Sequence, residues 1–264
     1  MAGATSSAVH ELAIETRSGL VHRFVLRRFT DAEWLAREPD LAGREAEALT
    51  LVAAVPLPTP RLIAVDARGE ECDTPAVLMS RVPGNLLAAP DDIDGFVRRL
   101  AEPVPIIHGT PFPARAAIPD YRPYDVEEAR RGELRPPIGA RVPAAWERAI
   151  EVHAGPAPAG AEVFLHRDYH PGNVLWRRGQ VVGVVDWVNA SRGPADADLG
   201  HCRLNLARDF GLDAADRFLA VHRALTGERD YHPYWDIVAA VGMLGDHPNP
   251  SAADAFVARA VARL

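Results

Sequence analysis

The chain has 264 residues, 48% of them hydrophobic and 25% charged, with a formal net charge of −7. That is enough for one large domain or two lobes with a packed core. No basic patch supports a nucleic-acid partner, and no apolar run reaches the ~18 residues that a membrane span needs. The acidic balance suits a cationic substrate but is common among soluble proteins.

Cys72 and Cys202 are far apart and have no metal-ligand spacing, so neither a disulfide framework nor a zinc site is expected. Residues 1–7 lack a basic segment followed by an apolar run, so no signal peptide is read there and a cytoplasmic setting is expected. All 29 basic residues are arginines. Any step that usually employs lysine must use another group.

In chain order, Val9 to Thr16 and Leu20 to Phe29 flank a Ser18-Gly19 turn and predict a β-hairpin. Asp40 to Val52 reads as a helix in which Ala46, Leu49, Leu51 and Val52 give a loosely periodic apolar face. Arg61 to Ala67 and Pro75 to Ser80 predict two further strands, and Pro83-Gly84 closes this part. Asp91 to His108 carries Ile93, Phe96, Val97 and Leu100 at helical spacing, behind two aspartates that favour a helix start. The Pro- and Arg-rich stretch 109–143 has no clear period. Ala145 to Val152 predicts a short helix, and 162–165, 174–177 and 181–185 predict short strands. Helices are expected over 198–209, 213–225, 234–244 and 252–264.

The strongest chemical signal is His166-Arg167-Asp168-Tyr169-His170-Pro171-Gly172-Asn173, followed by Val184-Val185-Asp186-Trp187. An apolar strand leads into a polar loop with a carboxylate and, five residues on, a carboxamide. A second carboxylate closes the return strand of a short hairpin. Phosphoryl transfer uses such a set: one carboxylate for the acceptor hydroxyl, and oxygen ligands for magnesium. A lone aspartate after a strand is more often a turn former; three such groups at these spacings are not.

This segment resembles the aminoglycoside phosphotransferase and choline kinase-like family, relatives of protein kinases, with Arg167 at the position of a usual glycine. The resemblance implies an α+β, bilobal protein kinase-like fold. A small β-rich N-terminal lobe would cover residues 1–84, and a larger, mainly helical catalytic and acceptor-binding lobe residues 85–264. It implies ATP or GTP as co-substrate, Mg2+, and a hydroxyl of a small molecule as acceptor. Asp168 would be the catalytic base, and Asn173 and Asp186 the metal ligands. His166 and Asp198 would support the loop, and His170 would either pack there or lie near the phosphates.

Phe24-Val25-Leu26-Arg27-Arg28 is similar to the strand that normally carries a phosphate-gripping lysine, which puts Arg27, or alternatively Arg28, in that role. Glu45, or alternatively Glu47, would be its helix-borne partner. Ser80 and Val82 would mark main-chain adenine contacts, and Ser6 and Ser7 the tail of a phosphate-covering loop. Acceptor contacts are sought at Asp230, Tyr234, Trp235 and Asp236, although a helix start at Pro233 and Asp236 with the aromatics in the core is the preferred reading of the segment.

The acceptor could be an antibiotic such as an aminoglycoside or macrolide, an amino alcohol or a sugar. A protein kinase is disfavoured, because neither Phe-Gly after Asp186 nor an Ala-Pro-Glu segment is present. A catalytically weak nucleotide-binding protein is the other alternative, prompted by the missing lysine.

Overall fold

The structure, a computed structural model, describes residues 7–87, 90–114, 116–227, 230–244 and 250–264. It comprises two compact units. One holds residues 1–86, 110–119 and 173–190; the other holds 87–109, 120–172 and 191–264. The division in the sequence near residue 84 therefore marks only the first boundary, and two later segments return to the first unit.

The first unit is built on a four-stranded antiparallel sheet of order β1-β2-β4-β3. Strands β1 (Ala8–Glu15) and β2 (Val21–Arg28) form the expected hairpin, with Ala8 opposite Arg28. A short helix, α1 (Ala32–Arg37), follows; Asp31 caps it by accepting from Trp34 N at 2.9 Å. Helix α2 (Leu41–Val52) buries Leu41, Ala42, Ala46, Ala48, Leu49 and Val52. Their spacing gives one apolar face, which packs on β3 (Leu62–Asp66) and β4 (Ala76–Ser80). The turn after β3 is organised by the Asp66 carboxylate, which accepts from the backbone N–H groups of Gly69, Glu70, Glu71 and Cys72.

The late addition to this unit is a two-stranded hairpin, which follows the second unit's α3–α6 and β5 in the chain: β6 (Val174–Arg177) and β7 (Gln180–Val184). Arg178 and Gly179 turn it with φ of 51° and 71°, the left-handed pair that two-residue hairpins favour. Asn85 and Trp176 exchange backbone hydrogen bonds of 3.0 and 2.7 Å, and Val184 N donates to Pro58 O at 2.8 Å. A Cβ on Gly183 would lie 2.6 Å from Val82 Cγ1, so only glycine admits the chain that leaves β4. These bonds explain why residues 173–190 belong to the first unit.

In the second unit, the single helix expected over 91–108 is two. Helix α3 (Ile93–Ala101) is capped by Asp92, and α4 (Pro103–His108) begins with a proline that has no N–H to continue the ladder. The unassigned stretch contributes a short α5 (Val126–Arg130) before α6 (Pro143–Ala154). Strand β5 (Glu162–Leu165) pairs with β8 (Ser191–Pro194), a strand that sequence patterning missed because its four residues, Ser-Arg-Gly-Pro, carry no apolar alternation. Helices α7 (Asp196–Phe210), α8 (Leu212–Thr226), α9 (Tyr234–Val241) and α10 (Pro250–Val261) complete the unit.

Helix α7 is the central element; residues 197–200 and 202–207 are all buried. Arg203, 2% exposed, makes a bidentate pair with Asp236 of α9 at 2.8 and 3.0 Å and donates to Ala215 O of α8 at 2.8 Å. Tyr231 adds a third donor to Asp236 at 2.6 Å. One arginine thus ties three helices, and its partners satisfy the charges that burial would otherwise penalise. Gly200 permits the approach of α9, since a Cβ there would lie 2.3 Å from Trp235 O.

Two outcomes are expected in urea unfolding. Arg203→Leu leaves Asp236 buried without its cation and should cost about 3–5 kcal/mol. Gly200→Ala must push the two helices apart and should cost about 1–3 kcal/mol. An Arg203→Leu loss below about 1 kcal/mol would mean that water replaces the pair.

Candidate active site

The loop after β5 is shaped by one buried carboxylate. Asp198, 1% exposed in the first turn of α7, accepts from His166 N at 2.9 Å and Arg167 N at 2.6 Å, one on each oxygen. His108 Nε2 lies 3.1 Å from the oxygen that His166 uses. Burial works against the Asp198 anion, but the His108 hydrogen bond and the other donors outweigh it and hold the carboxyl below its ordinary range. Held by its N–H, Arg167 takes φ of 67°, a left-handed conformation uncommon for a residue with a side chain.

The loop's other fastenings are local. His166 is fully buried, and its Nδ1 accepts from Asp168 N at 3.3 Å. Tyr169 OH donates to Leu100 O at 2.6 Å. His170 Nδ1 accepts from Gly172 N at 3.1 Å, which turns its Nε2 to within 3.7 Å of Asp168 Oδ1.

These bonds present the Asp168 carboxylate, whose side chain is 29% exposed, to a cavity of about 290 Å³ in the second unit. Tyr121, Tyr124, Arg167 and His201 line the cavity beside it, and Val238 and Met243 supply apolar wall. His201 Nε2 lies 3.0 Å from Asp168 Oδ1. Burial alone would raise the Asp168 pKa; the His201 hydrogen bond and the neighbouring imidazoles reverse this and hold the carboxyl well below the usual carboxylate range. His170 is pushed down to about 4, chiefly by burial, with Asp168 working the other way. Asp168, His170 and His201 also offer three metal-ligating atoms within 4.8 Å of one another. That set has two imidazoles and suits softer ions than magnesium.

The first unit holds the other expected residues. Asn173 ends a single 3-10 turn, and its carbonyl accepts from Val185 N at 2.9 Å. Val174 and Val184 are opposite across the ladder, so Asn173 and Asp186 stand at the same end of the β6–β7 hairpin. Asp186 has φ of 70°, and Trp187 behind it is fully buried with Nε1 bonded to Val184 O at 3.1 Å.

Arg27 Nη1 lies 2.7 Å from Asp186 Oδ1 and 3.1 Å from Glu45 Oε1. Burial pushes the Glu45 carboxyl up to about 7, against the attraction of Arg27. Arg28 turns to the other face and donates to Cys72 O at 2.9 Å, as strand alternation requires. Ser80 closes β4 by donating its N–H to Arg61 O and accepting from Arg61 N on its hydroxyl, both at 2.8 Å. Ser7 is the first described residue, and Ser6 lies outside the described residues.

The acceptor contacts expected at 230–236 are not at the Asp168 cavity. Asp230 is exposed elsewhere, while Tyr234, Trp235 and Asp236 are buried in the first turn of α9. Tyr234 and Trp235 pack with Leu165 and Ala197, and Asp236 is committed to Arg203. The segment is a helix start whose aromatics serve the core.

His201, Tyr121 and Tyr124 were missed. His201 was legible in principle, because it lies one helical turn after Asp198. The tyrosines fall in the stretch that had no period.

The model of the phosphotransferase enzyme family matches residues 8–239. The chain belongs to this family: it is a small-molecule kinase with a nucleotide as phosphoryl donor. No curated protein matches its sequence. Among solved structures, a putative aminoglycoside phosphotransferase from Ralstonia eutropha is 13% identical, covering 99% of this chain and 93% of its own, at a TM-score of 0.64. An amicoumacin kinase in complex with AMP-PNP, Ca2+ and Ami is 11% identical over 98% of this chain and 86% of its own, at 0.65. The GDP complex of aminoglycoside 2′-phosphotransferase-IIIa is 18% identical over 97% and 92%, at 0.61. These likenesses establish the α+β kinase-like fold.

Asp198→Asn should lower stability at pH 7 by about 2–3 kcal/mol, because it loses an ionised acceptor of several buried donors. A carboxyl whose folded pKa is depressed contributes stability that is fully present above its unfolded value, about 4, and is lost as pH falls below it. Stability measured against pH should therefore fall less steeply below pH 4 in the variant than in the parent. Parallel acid limbs would mean that Asp198 is not the group that titrates.

Proposed function

We propose that this chain moves the γ-phosphate of ATP or GTP onto a hydroxyl of a small molecule, with Asp168 taking the hydroxyl proton. The observation that carries this reading is the Asp168 carboxylate, fixed by its loop and presented to a cavity large enough for part of an acceptor. His201 holds the carboxylate through Oδ1, in an orientation from which it would position the hydroxyl. A strongly basic carboxylate is not required, since proton loss can be late in a loose phosphoryl-transfer transition state.

Asn173 and Asp186 suit magnesium by donor chemistry: a carboxamide and a carboxylate at one end of a tight hairpin, where the ion takes one or two protein oxygens beside phosphates and water. Bound there, magnesium would neutralise charge on the transferring phosphoryl group. Arg27, fixed by Glu45, would hold the donor's phosphates in place of the usual lysine. Main-chain groups around Ser80 and Val82, and Ser7 just before β1, would complete the nucleotide contacts. A nucleoside triphosphate as co-substrate supports a cytoplasmic setting. Among the described residues no helix is long and apolar enough to cross a membrane.

One contact favours the second reading, a nucleotide binder with little turnover: Arg27 already holds an oxygen of Asp186 at 2.7 Å. Arg27→Lys separates the two. A gain in kcat with lysine would mean that the guanidinium competes with the ion, and a large loss would mean that the site depends on its planar fork.

For the main reading, Asp168→Asn should lower kcat about 10²–10⁴-fold while nucleotide affinity stays within a few-fold. Asp186→Ala should weaken magnesium-nucleotide binding more than magnesium-free binding in calorimetry. Retained kcat in the first variant would remove Asp168 from the chemistry; equal losses in the second would leave Asp186 a structural residue.

A further inference from the structure

Arg167 sits at φ of 67°, where the motif that this loop resembles has glycine and where a side chain is costly. The Arg167 N–H to Asp198 explains how the conformation is held, but any residue, glycine included, would supply that N–H. The side chain must therefore have its own use.

Its guanidinium lies 4.2 Å from the Tyr124 ring centroid and 5.6 Å from that of Tyr121, and Nη2 donates to Arg122 O at 2.9 Å. Nε is buried and has no hydrogen-bond partner among the described residues. The two rings and one carbonyl hold the cation in place, and no acidic partner pairs with it among the described residues. Arg167 lines the same cavity as Asp168, the next residue in the chain. Among the described residues, Asp168 is the only carboxylate lining that cavity, and it already faces His201. A polycation would meet an arginine, one engaged carboxylate and the apolar wall of Val238 and Met243.

We infer that Arg167 selects an acceptor that carries an anionic group, a carboxylate or a phosphate, close to its reacting hydroxyl. This inference rests on the phosphotransfer reading above and names its substrate class. A guanidinium held in one orientation recognises such oxygens through its outer nitrogens, Nε being buried. The tyrosines that flank it limit its rotamers, so little freedom is lost when the anion binds. The whole-chain charge of −7 points toward cationic substrates, whereas the cavity's own lining points the other way.

The test is a nucleotide-dependent transfer assay on hydroxyl compounds matched in skeleton and sorted by charge. Gluconate and glycerate represent carboxylates; glucose 6-phosphate and glycerol 3-phosphate represent phosphates. Glucose and glycerol are the neutral counterparts, and glucosamine, ethanolamine and kanamycin the cations. Equilibrium binding of the same compounds is measured in parallel.

The parent protein should prefer an anionic member, and the two anionic arms tell carboxylate from phosphate. In Arg167→Gly, the ratio of KM for the anion to KM for its neutral counterpart should rise at least about 10-fold, the loss of one charge-assisted contact. Arg167→Lys should restore part of that preference. Tm checks that the variant stays folded: glycine relieves the left-handed φ, the lost ring contacts oppose that gain, and a small net change is expected. Preference for the cationic class, or an unchanged KM ratio in Arg167→Gly, would overturn the inference. The phosphotransfer reading fails differently, as absence of transfer in every class. The binding arm then still decides: anion binding lost in Arg167→Gly upholds the charge selection, and equal or absent anion binding rejects it.

Discussion

The hydrogen bonds that Asp198 accepts from the backbone of His166 and Arg167 set the course of the loop that follows β5. A fully buried carboxylate is expensive unless its oxygens are satisfied. Here His108 and two main-chain donors supply the satisfaction, and the main-chain bonds that help remove the cost also dictate the loop's dihedral angles. The left-handed turn at Arg167, the aim of Asp168 into the cavity and the proximity of His201 follow from that single anchorage. Because Asp198 and His201 are on the same helix, the carboxylate that shapes the loop and the imidazole that meets its catalytic candidate are held in one rigid frame.

The cluster around Arg27 in the first unit has the opposite electrostatic arrangement. Its charges are satisfied by side chains, with Arg27 shared between Glu45 and Asp186. Two carboxylates around one guanidinium leave an excess of negative charge. Burial places that burden on Glu45, whose carboxyl is driven upward, while Asp186 keeps a third of its side chain exposed. The asymmetry leaves the exposed carboxylate as the member suited to an incoming cation and the buried one as the member that steadies the arginine.

Much of this was legible in the sequence, for identifiable reasons. The α2 helix follows from a loosely periodic apolar face, of which Leu51 falls outside the buried set, and the β1–β2 hairpin from its turn residues. Asp168, Asn173 and Asp186 stood out because polar groups at fixed offsets between apolar strands are hard to explain otherwise. The pairing of Arg27 rather than Arg28 with Glu45 follows from strand alternation once the register is known. What escaped depends on distant partners. Strand β8 exists because β5 offers it a ladder, and Tyr121 and Tyr124 matter because Arg167 lies over them. The aromatics at 234–235 left ligand contacts open beside the preferred core reading, because composition cannot tell a stacking surface from a core face; their burial favours the core.

The membership of residues 173–190 in the first unit bears on how the chain is made. Synthesis proceeds from the N-terminus, and domains tend to fold as they emerge. The first 86 residues cannot complete their unit on emergence, because Trp176 and Val184, which bond Asn85 and Pro58, are made about a hundred residues later. Until then the backbone groups of Asn85 and Pro58 and the exit of β4 stand open to water or to a chaperone. Nor can the second unit close early, since α7 through α10 follow the hairpin. Each unit waits for sequence that lies beyond part of the other, which makes the nascent chain dependent on protection over nearly its whole length and makes a cut after residue 86 a poor way to isolate either half.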